Sequence, residues 1–370
     1  MKIVLVQGAF LPIPPIRGGA VEKRWYLLAK EFVKQGHEVI HICKSFENML
    51  DEETVDGVLI KRKSGFNISA NFIVSNFKDF YYTTKILSLI PKDTDVLISN
   101  TFWLPILAPK KLKTKIMVDV ARIPKGQMPF YKKAKTLRAN STPVAKAIKS
   151  ELPSHLHNKV ITIPNPLTFL TDTEFSMPPK TKTILYTGRI HPEKGIELLV
   201  QAFAELNLKD WKLEIIGPYE ISDGGGGKKY LEKLKKNAND KTTFLEPIFN
   251  VEELNTYYKK ASIFVYPSVA EKGETFGLAP LEAMAWGAIP IVSDLSCFKD
   301  FIKDGINGRI FDHRCENPVD ALSSIMQDLA LNISNKESMR IASIKVRKSH
   351  SIPSIAKLFI DEFHDTKNRV

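Results

Sequence analysis

One hydrophobic pattern is written twice along this chain. Lys2–Val6 reads as a strand, apolar without interruption from Ile3 onward, that ends in a glycine-bearing loop. Helical spacing over 21–34 and a second apolar run at 39–43 follow it. The same order recurs from 183–186, through a loop at Gly188, to a helix over 196–206 and a strand at Lys212–Ile216. That second helix puts Ile196, Leu199, Val200 and Phe203 on one face. Buried strands alternating with amphipathic helices are the mark of a parallel sheet covered on both faces. The pattern predicts an α/β fold of two Rossmann-like, doubly wound parallel-sheet domains, one over 1–175 and one over 176–351, facing across a cleft. A Pro- and Thr-rich connection at 171–183 separates them, and a last amphipathic helix is predicted over 352–363.

Candidate chemistry concentrates in 274–294, ETFGLAPLEAMAWGAIPIVSD. A turn at Glu274, Thr275, Phe276 and Gly277 leads to Pro280, which suits the first position of a helix. Gly287 closes that helix as a left-handed cap, and 288–292 reads as a buried strand. A helix start offers free amides and a positive dipole end, a setting for phosphate. Glu274 before the helix and Glu282 in its first turn are then placed to accept hydrogen bonds from hydroxyls. Hydroxyls flanking phosphates describe a nucleotide sugar. An acid in a first turn also complements the dipole with no ligand at all, so both readings of Glu282 stay open.

Upstream, Gly188, Arg189, Lys194 and Gly195 lie between an apolar strand and an amphipathic helix. This spacing puts two cations at the carboxyl edge of a sheet, where open α/β folds bind ligands. Arginine offers a planar fork and lysine a point charge, both suited to a diphosphate. Either residue taken alone reads equally well as solvated surface.

Together these segments resemble the retaining glycosyltransferases of family 4, which have the GT-B fold. The family's paired glutamates match Glu274 and Glu282. Its Gly-Arg turn and Lys-Gly match Gly188, Arg189, Lys194 and Gly195, and its N-terminal glycine loop matches Arg17, Gly18 and Gly19. Gly36, His37, Glu38 and Val39 resemble the end of its first crossover. Ile163, Pro164, Asn165 and Pro166 resemble its hinge, with proline where glycine is usual.

The resemblance implies an enzyme that moves a sugar from a nucleotide-diphosphate sugar, with a UDP-sugar favoured, to a saccharide or lipid-linked acceptor in surface-polysaccharide or lipopolysaccharide assembly. In that scheme Arg189 and Lys194 neutralise the leaving diphosphate, amides at Gly18 and Gly19 help across the cleft, and Glu282 holds the ribose. Glu274 and the backbone of Thr275, Phe276, Gly277 and Leu278 hold the sugar, so Glu274, Arg189 and Lys194 carry catalysis. No metal is implied, and a C-terminal helix at about 352–370 packs on the first domain. Retention without a nucleophile fits front-face attack, in which the departing phosphate takes the acceptor's proton. A sugar-nucleotide epimerase and a non-catalytic saccharide-binding homologue are the alternatives. In one place the chain departs from the family: the strand at 115–120 leads to Ala121 where a histidine is frequent, with Asp119 two residues earlier.

Charge divides unevenly. Residues 1–178 hold 26 Lys and Arg against 15 Asp and Glu, a net of +11, and residues 179–370 hold 27 against 26, a net of +1. Within the first half, 109–138 holds ten basic residues and one acid, interleaved with Met128, Phe130 and Tyr131. Such clustering suits an anionic membrane surface, with Lys132, Lys133, Lys135 and Arg138 as contacts. Nucleic acid is disfavoured because no nucleic-acid motif is present, and a plainly solvated basic face is the remaining reading. The apolar stretch at 96–109 is too short to cross a bilayer, and the N-terminal strand lacks the features of a signal peptide. Cys43, Cys297 and Cys315 have neither paired nor metal-ligand spacing, which fits a reducing cytosol. The expected location is cytoplasmic, peripheral at the membrane face. Asp93 and Asp95 read as turn residues rather than a metal pair, and the glycine run at 224–227 reads as a mobile surface loop rather than a phosphate loop.

Overall fold

The structure, a computed structural model, describes every residue except 17–18, 68–70, 114, 172–174, 207 and 369–370. The chain divides into two compact units, Met1–Thr168 with Ile352–Val370, and Phe169–Ser351. The boundary lies ahead of the expected residue 175, because Phe169 stacks on Trp286 of the second unit at 5.2 Å between ring centroids.

The first unit contains β1 (Lys2–Val6), α1 (Ala20–Lys34), β2 (Glu38–Lys44), β3 (Glu52–Val55), β4 (Val58–Lys63), α2 (Phe72–Ile86) and β5 (Val96–Ser99). It continues through α3 (Leu104–Leu107), α4 (Lys110–Lys113), β6 (Ile116–Val120), β7 (Thr136–Ala139), α5 (Thr142–Ser150) and β8 (Val160–Thr162). The sheet runs β3-β4-β2-β1-β5-β6-β7-β8, parallel except for the antiparallel β3–β4 edge. Side chains alternate between two cores: Val4 and Val6 of β1 pack with Tyr82, Ile86, Val144 and Ile148. Ile3 and Leu5 pack on the other face with Trp25, Phe32 and Phe359.

The second unit contains β9 (Thr181–Thr187), α6 (Ile196–Ala204), β10 (Lys212–Ile216), α7 (Lys228–Asn237), β11 (Thr242–Leu245), α8 (Val251–Lys260) and β12 (Ala261–Tyr266). After these come α9 (Leu278–Ala285), β13 (Ile289–Ser293), β14 (Arg309–Phe311), α10 (Pro318–Leu331), α11 (Glu337–Ser343) and α12 (Val346–Ser349). Its six strands, β11-β10-β9-β12-β13-β14, are all parallel. The last helix, α13 (Ile352–Asn368), belongs to the first unit, where Phe359 sits 5.1 Å from Trp25 and 6.3 Å from Phe32. Each fully buried aromatic of this seam is worth ~1.5–3 kcal/mol of apolar burial.

Helix α9 begins at Leu278, two residues before the expected Pro280. Gly277 is its N-cap at φ 86°, and a Cβ there would lie 2.4 Å from Phe298 Cε1, so only glycine fits. Pro280 is tolerated at the third position because the first four amides of a helix have no intrahelical acceptor. Glu282 therefore lies in the second turn rather than the first.

Candidate functional site

In the second sheet β9 neighbours both β10 and β12, so the strand order reverses between β9 and β12. Loops leaving such neighbouring strands diverge and open a crevice at their carboxyl ends. Gly188 and Arg189 follow β9 and Ser268 follows β12, which puts the sequence-predicted cations in that crevice. Gly195 holds the β9 loop against the β12 loop: it is left-handed at φ 65°, and a Cβ would lie 2.0 Å from Pro267 O. The Val269 amide donates to Glu193 O at 2.9 Å, closing the same contact.

Lys194 and Glu274 meet here. Lys194 Nζ donates to Glu274 Oε2 at 2.8 Å, with side chains only 9% and 11% exposed. The same ammonium sits 5.5 Å from the centroid of the Tyr266 ring. Tyr266 is buried and hydrogen-bonded to Glu274; burial first, then that carboxylate, pushes its phenol well above the usual value. Two groups 80 residues apart are thus drawn together in a largely dry pocket, where a charge–charge contact is stronger than in water. Arg189 is held differently, with Nη2 on Glu193 Oε1 at 2.5 Å and Nη1 on Gly224 O at 2.6 Å.

Glu282 is buried, but its Oε2 accepts from the Tyr258 hydroxyl at 3.2 Å, and that hydroxyl meets Thr187 Oγ1 at 2.6 Å. The carboxylate is therefore anchored at the end of β9. Gly18 lies outside the described residues; Gly19 caps α1 at φ 92°.

The glycine run departs from the mobile surface loop expected for it. Gly226 N donates to Ile190 O at 2.8 Å, Gly227 N to Tyr219 O at 2.7 Å, and Gly224 O holds Arg189. It is a packed floor beneath the arginine. Glu193, Tyr266 and this run were missed by pattern reading; four successive glycines close to a candidate anion site were the available signal. Asp93 and Asp95 hold Lys2, through its Nζ at 2.6 Å and its amide at 2.9 Å. Among the described residues no cluster of metal-ligating side chains is present.

The first unit repeats the logic. Its strand order reverses between β1 and β5, and Gln7 after β1 and Asn100 after β5 line a pocket of about 520 Å³. Both amide groups are buried with no hydrogen-bond partner among the described residues. Phe10, Phe102 and Tyr131 wall the pocket, and Asp79, Glu22 and Ala121 also line it. Burial raises the Asp79 carboxyl to about 6, and burial also raises Glu22. Arg122 lines it as well. Unpaired amides, aromatic walls and carboxyl groups together suit a polyhydroxylated ligand.

Asp119 is fully buried and committed to structure. Arg138 Nη1 meets its Oδ1 at 2.6 Å, Trp25 Nε1 donates to its Oδ2 at 2.9 Å, and Arg24 pairs with the same oxygen. Burial alone would raise its pKa; Arg24 and Arg138 outweigh that and hold it below the usual range. Asn165 of the hinge signature accepts from Arg24 at 2.7 Å and from Arg138 at 2.9 Å.

Arg138 is thus no membrane contact: its side chain is 0% exposed, locked to Asp119. Tyr131, Met128 and Leu137 are core residues as well. Lys132, Lys133 and Phe130 are exposed, and Lys135 is half-buried. A basic run that follows β6 and forms β7 must turn part of itself inward, which charge counting does not register. Among the described residues no helix is long and apolar enough to cross a membrane.

Residues 171–343 match the family model described as glycosyl transferases group 1. The chain is 31% identical over 163 residues to a lipopolysaccharide 1,2-N-acetylglucosaminetransferase of Salmonella typhimurium, covering 43% of this chain and 41% of that protein. It is 31% identical over 189 residues to a GDP-mannose:cellobiosyl-diphosphopolyprenol alpha-mannosyltransferase of Xanthomonas oryzae pv. oryzae, covering 50% and 47%. The matched stretch spans less than half the length of either relative. Among solved structures, the chain is similar to a sucrose-phosphate synthase from Thermosynechococcus elongatus, with TM-score 0.79, 18% identity and full coverage of both chains. It is also similar to Anabaena HepE in complex with UDP and glucose, with TM-score 0.73, 13% identity and coverage of 99% and 100%. The fold is GT-B.

Proposed function

From the premise that residues 171–343 form a domain of the glycosyl transferases group 1 family, we propose that the chain is a retaining family 4 glycosyltransferase. It would move a sugar from a nucleotide-diphosphate sugar, a UDP-sugar first, to a saccharide or lipid-linked acceptor in surface-polysaccharide or lipopolysaccharide assembly. The observation that carries this reading is the Lys194–Glu274 contact at the carboxyl end of β9, beside Arg189. Arg189 and Lys194 neutralise the diphosphate as it departs. Glu274 and the backbone from Thr275 to Leu278 hold the sugar hydroxyls, with Lys194 ordering the carboxylate until the donor arrives. Glu282, steadied by Tyr258, holds the ribose.

Catalysis in this scheme is electrostatic: the sugar–phosphate bond breaks, the acceptor oxygen bonds the anomeric carbon on the same face, and the leaving phosphate takes the acceptor's proton. The acceptor's saccharide occupies the Gln7–Asn100 pocket of the first unit, and no metal takes part. Exposed Lys132 and Lys133 support residence at the cytoplasmic face of an anionic membrane.

Thermal shift with a panel of UDP-, GDP- and ADP-sugars, with and without EDTA, tests the reading. One donor class should raise the melting temperature, unchanged by chelator. A panel with no response would remove the donor assignment, and a response abolished by EDTA and restored by Mg²⁺ would remove metal independence.

A further inference from the structure

Five large apolar side chains stand exposed along α2: Ile73 at 66%, Val74 at 42%, Phe77 at 71%, Phe80 at 37% and Tyr81 at 54%. Their spacing, i, i+1, i+4, i+7 and i+8, draws one stripe down the helix. The opposite side already meets the core through Asp79, Tyr82, Thr83 and Ile86, all buried. A helix facing water on its outer side should carry polar residues there, and a contiguous aromatic stripe of this kind marks a contact surface.

The charges around the stripe select its occupant. Between Lys63 and Lys92 the only carboxylate is Asp79, and it is on the buried side. Lys63 and Lys92 are exposed, and Lys85 Nζ sits 4.5 Å from the centroid of the Tyr81 ring, so a cation lies on the stripe itself. Lys78 borders it, tied to Asn67 O at 3.0 Å. A second copy docking through this face about a twofold axis would set these lysines against their own copies, with no carboxylate of the helix to answer them. An anionic lipid surface answers both features at once, apolar depth for the rings and phosphates for the ammonium groups.

We propose that α2 is an interfacial helix lying in the headgroup layer of an anionic membrane, with Ile73, Phe77 and Tyr81 immersed and Lys78 and Lys85 at the phosphates. This moves the principal lipid contact away from 109–138, whose apolar members are largely core. The inference deepens the membrane residence proposed above and rests on it, but it concerns lipid alone and needs neither donor nor acceptor, so its failure leaves the sugar-transfer reading standing.

Co-sedimentation of the full chain with vesicles tests it, using phosphatidylcholine alone and phosphatidylcholine mixed with phosphatidylglycerol. Wild type should bind the mixed vesicles and bind the neutral ones far more weakly. Phe77→Ser with Tyr81→Ser should lower partition roughly a hundredfold, about tenfold for each immersed ring. Lys78→Gln with Lys85→Gln should lower it about fivefold per cation at low salt and by less as salt screens the attraction. Lys132→Gln with Lys133→Gln should cost less than the ring variant. Melting temperature and donor thermal shift, read on every variant, separate loss of lipid binding from loss of fold or of the donor site. Wild type that ignores mixed vesicles, or a ring variant that binds them undiminished, overturns the proposal. Sedimentation velocity showing a wild-type dimer that the ring variant reduces to monomer would assign the stripe to a second copy instead.

Discussion

Replacing Arg138 with glutamine should unfold the first unit far more readily than any surface-lysine change. Its guanidinium makes three hydrogen bonds: Nε to Ile163 O at 2.7 Å, Nη1 to Asp119 Oδ1 at 2.6 Å and Nη2 to Asn165 Oδ1 at 2.9 Å. It also sits 5.5 Å from the centroid of Phe359 on α13. Breaking a buried ion pair from one side costs ~3–5 kcal/mol, because the remaining charge stays desolvated. Asp119 retains Arg24 and Trp25, which places the loss toward the lower end. At about 2–4 °C per kcal/mol for a domain of this size, the melting temperature should fall roughly 6–20 °C. Arg138→Lys, which keeps the charge and loses the fork, should fall between. The Asp119 carboxyl is held low in the fold, so its stabilisation is present above the unfolded carboxylate pKa of ~4 and is lost as pH falls through the folded value. The gap between wild type and variant should therefore narrow in acid. Thermal melts monitored by circular dichroism across pH decide this, and an Arg138→Gln protein melting within a degree or two of wild type at neutral pH would refute the buried knot.

Other outcomes follow from the same geometry. Arg189→Ala and Lys194→Ala each remove a charge-assisted contact worth ~1.5–3 kcal/mol, hence roughly ten- to hundredfold in transfer rate at low donor concentration; wild-type turnover in either variant would contradict the diphosphate assignment. Glu274→Gln should weaken the sugar donor and leave the bare nucleotide nearly unchanged, whereas Glu282→Gln should weaken both. Calorimetry with the two ligands separates them, and equal losses on both for Glu274→Gln would end the division of labour. The Asp79 carboxyl is raised to about 6 by burial, so it costs nothing below the unfolded pKa and its full penalty appears above about 6. Asp79→Asn should accordingly gain melting temperature relative to wild type between pH 4 and 6; a constant difference across that range would show that burial does not govern this carboxyl.

The sequence by itself determined the twofold strand–helix repeat, the cations near Gly188 and the helix after Glu274. Hydrophobic period and glycine chemistry are local, and each of those features is spelled within a dozen residues. Lys2–Val6 and Lys212–Ile216 could be bounded at once because each opens on a lysine and closes on buried aliphatic residues, with Glu214 the one polar interruption after those lysines. Only tertiary structure decided which charges face inward. Lys194 meets Glu274 80 residues away because β9 and β12 are adjacent in a sheet whose order no local pattern contains. Arg138 looked like its lysine neighbours, yet the register of β7 beside β6 sets it opposite Asp119 and turns both into core. The sequence pattern places no element at α2, and its outward rings could not be assigned from pattern, since apolar period alone cannot tell which side of a helix the protein will cover. Burial is a property of the assembled fold, and a single chain pattern carries only half of it.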